Sequence, residues 1–166
     1  AQSNLGTGIL DRNGMDDSVK EIVDATFETI RRRGAVEPED LKTLYFFFGS
    51  TLEKALDIYD AELVSKRVAM PSQRTFYTVE GTLAFPYVVM ENWCSCPAFS
   101  KSIAKGCREM CKHQLAVKLA DASGQARVQE INDKDFSREV CEDKNNGLNE
   151  LSRQYKTRMV EAAKMS

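Results

Sequence analysis

An α+β fold is predicted for this chain, with N-terminal helices, a short antiparallel β-meander, a ββα-type metal-binding finger and C-terminal helices. Three observations carry the prediction. Apolar residues recur at helical spacing from residue 17 to residue 60, and the period shortens towards two between 61 and 90. Two closely spaced pairs of ligand-type residues, Cys94/Cys96 and Cys111/His113, then flank a strand-to-helix transition. The 166 residues suit one domain with its own core.

The elements follow in order. Residues 1–16 show no hydrophobic period and read as a flexible tail. Val19, Ile22, Val23, Phe27 and Ile30 then line one helical face, with Gly34 as a left-handed stop. Pro38 suits the first turn of a second helix with Leu41, Leu44, Tyr45 and Phe48 on one side. Gly49 ends it, and Ser50 to Glu53 reads as a capping box opening a third helix with Leu52, Leu56 and Tyr59 inward. Residues 17–60 thus form a helical N-terminal part. AELVSKRVAM (61–70), RTFYTVE (74–80) and TLAFPYVVM (82–90) read as three antiparallel strands, with Pro86 at an edge or bulge. A helix is predicted over 111–122, with Gln114, Lys118 and Asp121 facing solvent and Leu115, Ala116, Val117 and Leu119 buried. Val128 to Ile131 reads as strand-like, and DKDFSREV (133–140) as a short capped helix in which Cys141 is partly buried. The meander and finger occupy 61–140, the finger core 84–122. Residues 141–166 form a helical extension, with Leu148, Leu151, Tyr155 and Met159 in register.

Composition narrows the function classes. The chain is 42% hydrophobic and 29% charged, as in a soluble globular protein. Its opening, AQSNLGTGILDRNG, lacks the basic start and apolar centre of a secretory leader, which predicts an intracellular protein. Five cysteines in that setting point to metal or thiol chemistry before disulfides. The net charge of −2 conceals a gradient of −5 over residues 1–60, +4 over 61–120 and −1 over 121–166. Phosphate-cradling GxxxxGK[ST] and GxGxxG loops are missing from the sequence, as is the H-x-E…P-C-x-x-C pattern of zinc deaminases.

The pairs Cys94/Cys96 and Cys111/His113 have a spacing with geometric meaning. Side chains two apart on a strand share a face, so Cys94 and Cys96 reach one ion. Residues two apart in a helix diverge by about 200°. Cys111 and His113 therefore converge only if Cys111 sits at or before a helix start and His113 in the first turn. The hydrophobic pattern places the helix start there. Three sulfurs and an imidazole suit one tetrahedral Zn²⁺, with an iron–sulfur cluster the weaker alternative. Four small core side chains would be an ordinary reading for one cysteine, not for two spaced pairs that include the chain's only histidine. Cys107 is a spare thiol: it offers an exchange with Cys111 but lacks a histidine two residues later. Four ligands close the sphere, so the ion is expected to be structural.

C-x-C…C-x-H is the signature of the SWIM zinc finger. CSCPAF at 94–99 and CKHQLAVKLA at 111–120, together with FFFGSTLEKALD at 46–57, resemble the SWIM-domain subunit of the Shu complex from about Asp17 to Val140. That resemblance implies a nuclear, non-enzymatic protein of homologous-recombination repair. It implies a RecA-like recombinase paralogue as partner and promotion of recombinase filament assembly on single-stranded DNA. The zinc ligands carry over to Cys94, Cys96, Cys111 and His113.

Independently, Lys101, Lys105, Arg108, Lys112 and Lys118 oppose only Glu109 between Pro97 and Ala120, a local +4 that attracts phosphate. With a pI near 5.6, DNA contact is expected through a complex rather than alone. Membrane association and a small-molecule substrate are not expected. A free-standing nucleic-acid-binding module, as in transposase- or transcription-related SWIM proteins, is the alternative, and an enzyme or ubiquitin-ligase component ranks third.

Overall fold

A computed structural model describes residues 17–81, 86–106 and 109–141. The expected N-terminal tail, Cys107, Arg108 and the helix at 148–164 fall outside these residues. Three helices open the fold: α1 (Asp17–Arg33), α2 (Pro38–Phe48) and α3 (Ser50–Asp60). Charge suits the macrodipole of α1, with Asp17 in its first turn and Arg31, Arg32 and Arg33 in its last. Gly34 at φ 74° ends it, donating its N–H to the Ile30 carbonyl at 2.7 Å. Pro38 opens α2. The Asp40 carboxylate accepts the Glu37 N–H at 2.9 Å and pairs with Arg33, which justifies an almost buried acid.

The predicted capping box at Ser50 and Glu53 does not form. A single residue, Gly49 (φ 48°, ψ −130°), separates α2 from α3, so Ser50 already lies inside the helix and Gly49 is the cap. That backbone region is open to glycine and strained for other residues. The corner is too tight for a side-chain cap.

Strands β1 (Val64–Met70), β2 (Arg74–Val79) and β3 (Tyr87–Met90) form the expected antiparallel meander, with Pro86 just ahead of β3. Two further strands extend it. The short β4 (Trp93–Cys94) folds back on β3, pairing Val89 with Cys94. At the far edge β5 (Arg127–Asn132) runs parallel to β1, giving a mixed sheet of order β4-β3-β2-β1-β5. The strand-like period at 128–131 was visible in the sequence; its parallel pairing follows from α5 (Lys112–Ser123), which carries the chain back along the sheet.

Helix α5 packs on one sheet face, and α1 and α3 pack against α5. Val23, Phe27, Ile30, Leu52, Leu115 and Leu119 meet there in a core extending to Val64, Val79 and Val89. Tyr77 also faces this side, its hydroxyl donating to Asp121 of α5 at 2.7 Å. Strand alternation turns Phe76 to the opposite face. There it meets Phe136 of α6 (residues 133–141) edge-on, centroids 5.3 Å apart. Among the described residues, no helix is long and apolar enough to cross a membrane.

Several side chains depart from their predicted sides. Gln114, assigned to solvent, is buried because its amide caps α5. Ile22 and Tyr45, assigned to the core, are about half exposed, at 47% and 51%. α1 and α2 meet through narrower stripes than their apolar residues would cover. Cys141, expected to be partly buried, is exposed at the end of α6.

Candidate metal centre

Each ligand pair combines one residue fixed by the sheet or a helix turn with one helix cap. Cys94 ends β4. Ser95 then locks the chain to β3: its N–H donates to the Val88 carbonyl and its Oγ accepts the Val88 N–H, both at 3.0 Å. Cys96 (φ −74°, ψ 150°) is the cap of α4 (Pro97–Ala104), and its Sγ accepts the Phe99 N–H at 3.4 Å. The sequence reading assigned no element between Cys96 and Cys111. The missed signal was Pro97 directly after Cys96, a proline at the first helical position behind a side chain that accepts hydrogen bonds.

The second pair forms as the helical geometry requires. Cys111 (φ −78°, ψ 165°) caps α5, and His113 lies in its first turn. The Cys111 N–H donates to Gln114 Oε1 at 3.2 Å, while the Gln114 N–H reaches back to the cysteine sulfur. Two of the three sulfurs thus stand at helix N-termini, where backbone N–H groups and the dipole favour a thiolate.

The four donor atoms lie within 4.8 Å of one another. Cys94, Cys96, Cys111 and His113 are 0%, 1%, 7% and 5% exposed. Cys94 Sγ stands 3.9 Å from His113 Nδ1, so that nitrogen faces the sulfurs. A tetrahedral zinc with bonds of about 2.3 Å to sulfur and about 2.0 Å to nitrogen sets sulfur–nitrogen separations near 3.5 Å and sulfur–sulfur separations near 3.8 Å. The cluster fits one such ion after small adjustments. Hydrogen bonds from Cys111 and Cys94 hold the Cys96 thiol far below its usual range. Bonding to Cys111 and Cys96, with burial, pushes Cys94 up. The Cys94 bond lowers Cys111, but Cys96 and burial outweigh it and push Cys111 up to about 11. A divalent cation replaces the remaining protons.

The imidazole is held from behind. The Tyr87 ring lies 4.2 Å from that of His113, tilted by 30°. Gly81 makes room for it, since a Cβ there would stand 2.9 Å from Tyr87 Cε2. Neither residue was singled out from sequence, because the contact joins a strand end to a helix start.

A cavity of about 380 Å³ adjoins the centre, lined by Thr51 and Lys54 of α3, Ser102 of α4, and Glu109, Lys112 and His113. The predicted basic patch divides around it. Lys101, Lys105 and Lys112 are exposed, and Lys112 lines the cavity. Lys118 instead lies partly buried against α1, its ammonium 5.5 Å from the centre of the Phe27 ring. Lys54, which sequence reasoning did not include, joins Lys112 at the cavity.

The SWIM zinc finger profile matches residues 77–122, from β2 to the last turn of α5. The chain is 32% identical to the zinc finger SWIM domain-containing protein 7 homolog of Dictyostelium discoideum, over 72% of this chain and 78% of that protein. It is 33% identical to zinc finger SWIM domain-containing protein 7 of Mus musculus (75% and 84% covered) and 30% identical to that of Homo sapiens (72% and 86%). No solved structure matches significantly. With its four donors in place and relatives aligned over most of their length, the chain belongs to the SWIM zinc finger family of zinc finger SWIM domain-containing protein 7.

Proposed function

We propose that this protein is a non-enzymatic adaptor of homologous-recombination DNA repair in the nucleus. It pairs with a RecA-like recombinase paralogue, and the pair promotes recombinase filament assembly on single-stranded DNA. The observation that carries the adaptor reading is the closed donor set. Three sulfurs and one nitrogen converge from four buried residues, whereas a hydrolytic zinc keeps a position for water and a base beside it. When bound, the ion supplies a cross-link and no reaction. The residues Cys94 and Cys96 fix β4 and α4, Cys111 and His113 fix α5, and α5 carries the core. The resemblance of CPAF and FGS to the Shu complex subunit supports the recombination setting.

DNA contact fits the same reading. Exposed Lys101, Lys105 and Lys112 surround the finger, while the chain as a whole is acidic with a pI near 5.6. Such a surface adds to the phosphate affinity of a larger complex without binding tightly alone.

The test is purification of the tagged full-length protein from its own cells, with bound chains identified and zinc counted. Stoichiometric recovery of a RecA-like paralogue with one zinc per chain is expected. Repeated recovery with no such paralogue overturns the reading. Tight DNA binding by the isolated protein, falling steeply with salt, favours the free-standing nucleic-acid module instead.

A further inference from the structure

The helix α2 ends in four consecutive aromatics, Tyr45-Phe46-Phe47-Phe48. Successive residues advance about 100°, so four in a row span most of the circumference and cannot all face the core. Phe47 and Phe48 pack against it. Tyr45 is left 51% exposed and Phe46 82% exposed, the largest exposure among the bulky apolar residues described. Local structure does not call for them, since aromatic residues are mediocre helix formers and a solvated phenylalanine favours association.

The geometry points to a docking anchor: Phe46, flanked by Tyr45, inserts into an apolar pocket with a basic rim on the RecA-like paralogue. This inference rests on the adaptor reading above and assigns its protein-binding face. The charges displayed on α2 and α3 select the occupant. Glu39 and Lys42 pair at 2.8 Å and cancel, which leaves Glu53, Asp57 and Asp60 as exposed acids against Lys54. The net negative charge of these two helices repels nucleic acid, so base stacking on Phe46 is disfavoured. A second copy would present the same acidic patch to itself across a twofold axis, which is also repulsive. A partner with lysine or arginine around an apolar pocket meets both features.

The anchor is also preorganised. The Gly49 N–H closes on the Tyr45 carbonyl at 2.8 Å, fixing the last turn of α2, and the two rings of Phe46 and Phe47 meet edge-on at 5.1 Å. Beyond Gly49, Thr51 and Lys54 of α3 line the cavity beside Cys96 and His113. The aromatic end of α2 is thus joined through Gly49 to the helix that lines this cavity. Little conformational freedom remains to be lost on binding.

The test uses the full-length chain co-expressed with the paralogue that purifies with it. Phe46→Ser should weaken the pair by roughly 30-fold or more, as for an aromatic hot spot. Zinc stoichiometry and thermal midpoint should match wild type, because the ring is solvated in the free protein. In parallel, Phe46→p-benzoylphenylalanine should photo-cross-link to the paralogue. Affinity of Phe46→Ser within threefold of wild type overturns the assignment, as do cross-links confined to this chain or to a second copy of it. Wild-type protein that retains no RecA-like paralogue overturns the adaptor reading and this surface with it. Wild-type pairing that survives Phe46→Ser overturns the surface alone.

Discussion

Replacing His113 by alanine should release zinc and loosen the whole domain, not only the finger. The imidazole is one of four donors, and its helix is the centre of the fold. α5 buries eight residues, among them Leu115, Ala116, Leu119 and Ala120 at 0–1% exposure, and packs on α1, α3 and the sheet. A structural zinc contributes on the order of 10–16 kcal/mol in small fingers, and its release forfeits that contribution. Against a domain stability of about 5–15 kcal/mol that loss is severe. At about 2–4 °C per kcal/mol for a chain of this size, the thermal midpoint should fall by roughly 20 °C or more, or the cooperative transition should be lost. Metal analysis after gel filtration and circular dichroism melting read the two effects together. Zinc content well below one per chain, with a broadened and lowered transition, is expected. Cys107→Ser and Cys141→Ser should leave both quantities unchanged. A His113→Ala protein with one zinc per chain and a midpoint within two degrees or so of wild type would refute the ligand assignment.

Other outcomes follow from particular contacts. Gly49→Ala introduces no clash, since nothing lies within 4 Å of the new carbon, but it strains the backbone at φ 48°. It should destabilise by about 1–3 kcal/mol, measurable by urea denaturation with unchanged zinc content. Tyr87→Ala removes the ring behind His113, and chelator competition should show zinc leaving roughly 10-fold faster. The alkaline limb of stability should report on Tyr77. Burial and the hydrogen bond to Asp121 push its phenol up to about 12, above the unfolded value near 10. The folded state thus favours the protonated form. Its contribution is complete below pH 10 and is lost as pH rises towards 12. A tyrosine ionising near pH 12 should be seen by ultraviolet absorbance, and Tyr77→Phe should abolish that step. It should also remove the wild-type stability advantage seen below pH 10.

The sequence alone indicated the ligand set and most of the element order, though not β4 or α4. C-x-C and C-x-H are local patterns, and strand alternation and helical rotation dictate where such pairs converge. Apolar periodicity likewise located three N-terminal helices, the meander and α5, because each face is written within a few turns of chain. What required the tertiary structure involved residues distant in sequence or a competition between helix faces. Gln114 carries a polar side chain, yet capping at Cys111 draws it inside. Tyr45 and Phe46 are apolar, yet they lie on the side of α2 that packing leaves exposed. Gly81 supports His113 only because β3 brings Tyr87 between them. The parallel edge β5 depends on where α5 delivers the chain. Periodicity tells which residues seek burial; only the packed neighbours decide which of them obtain it.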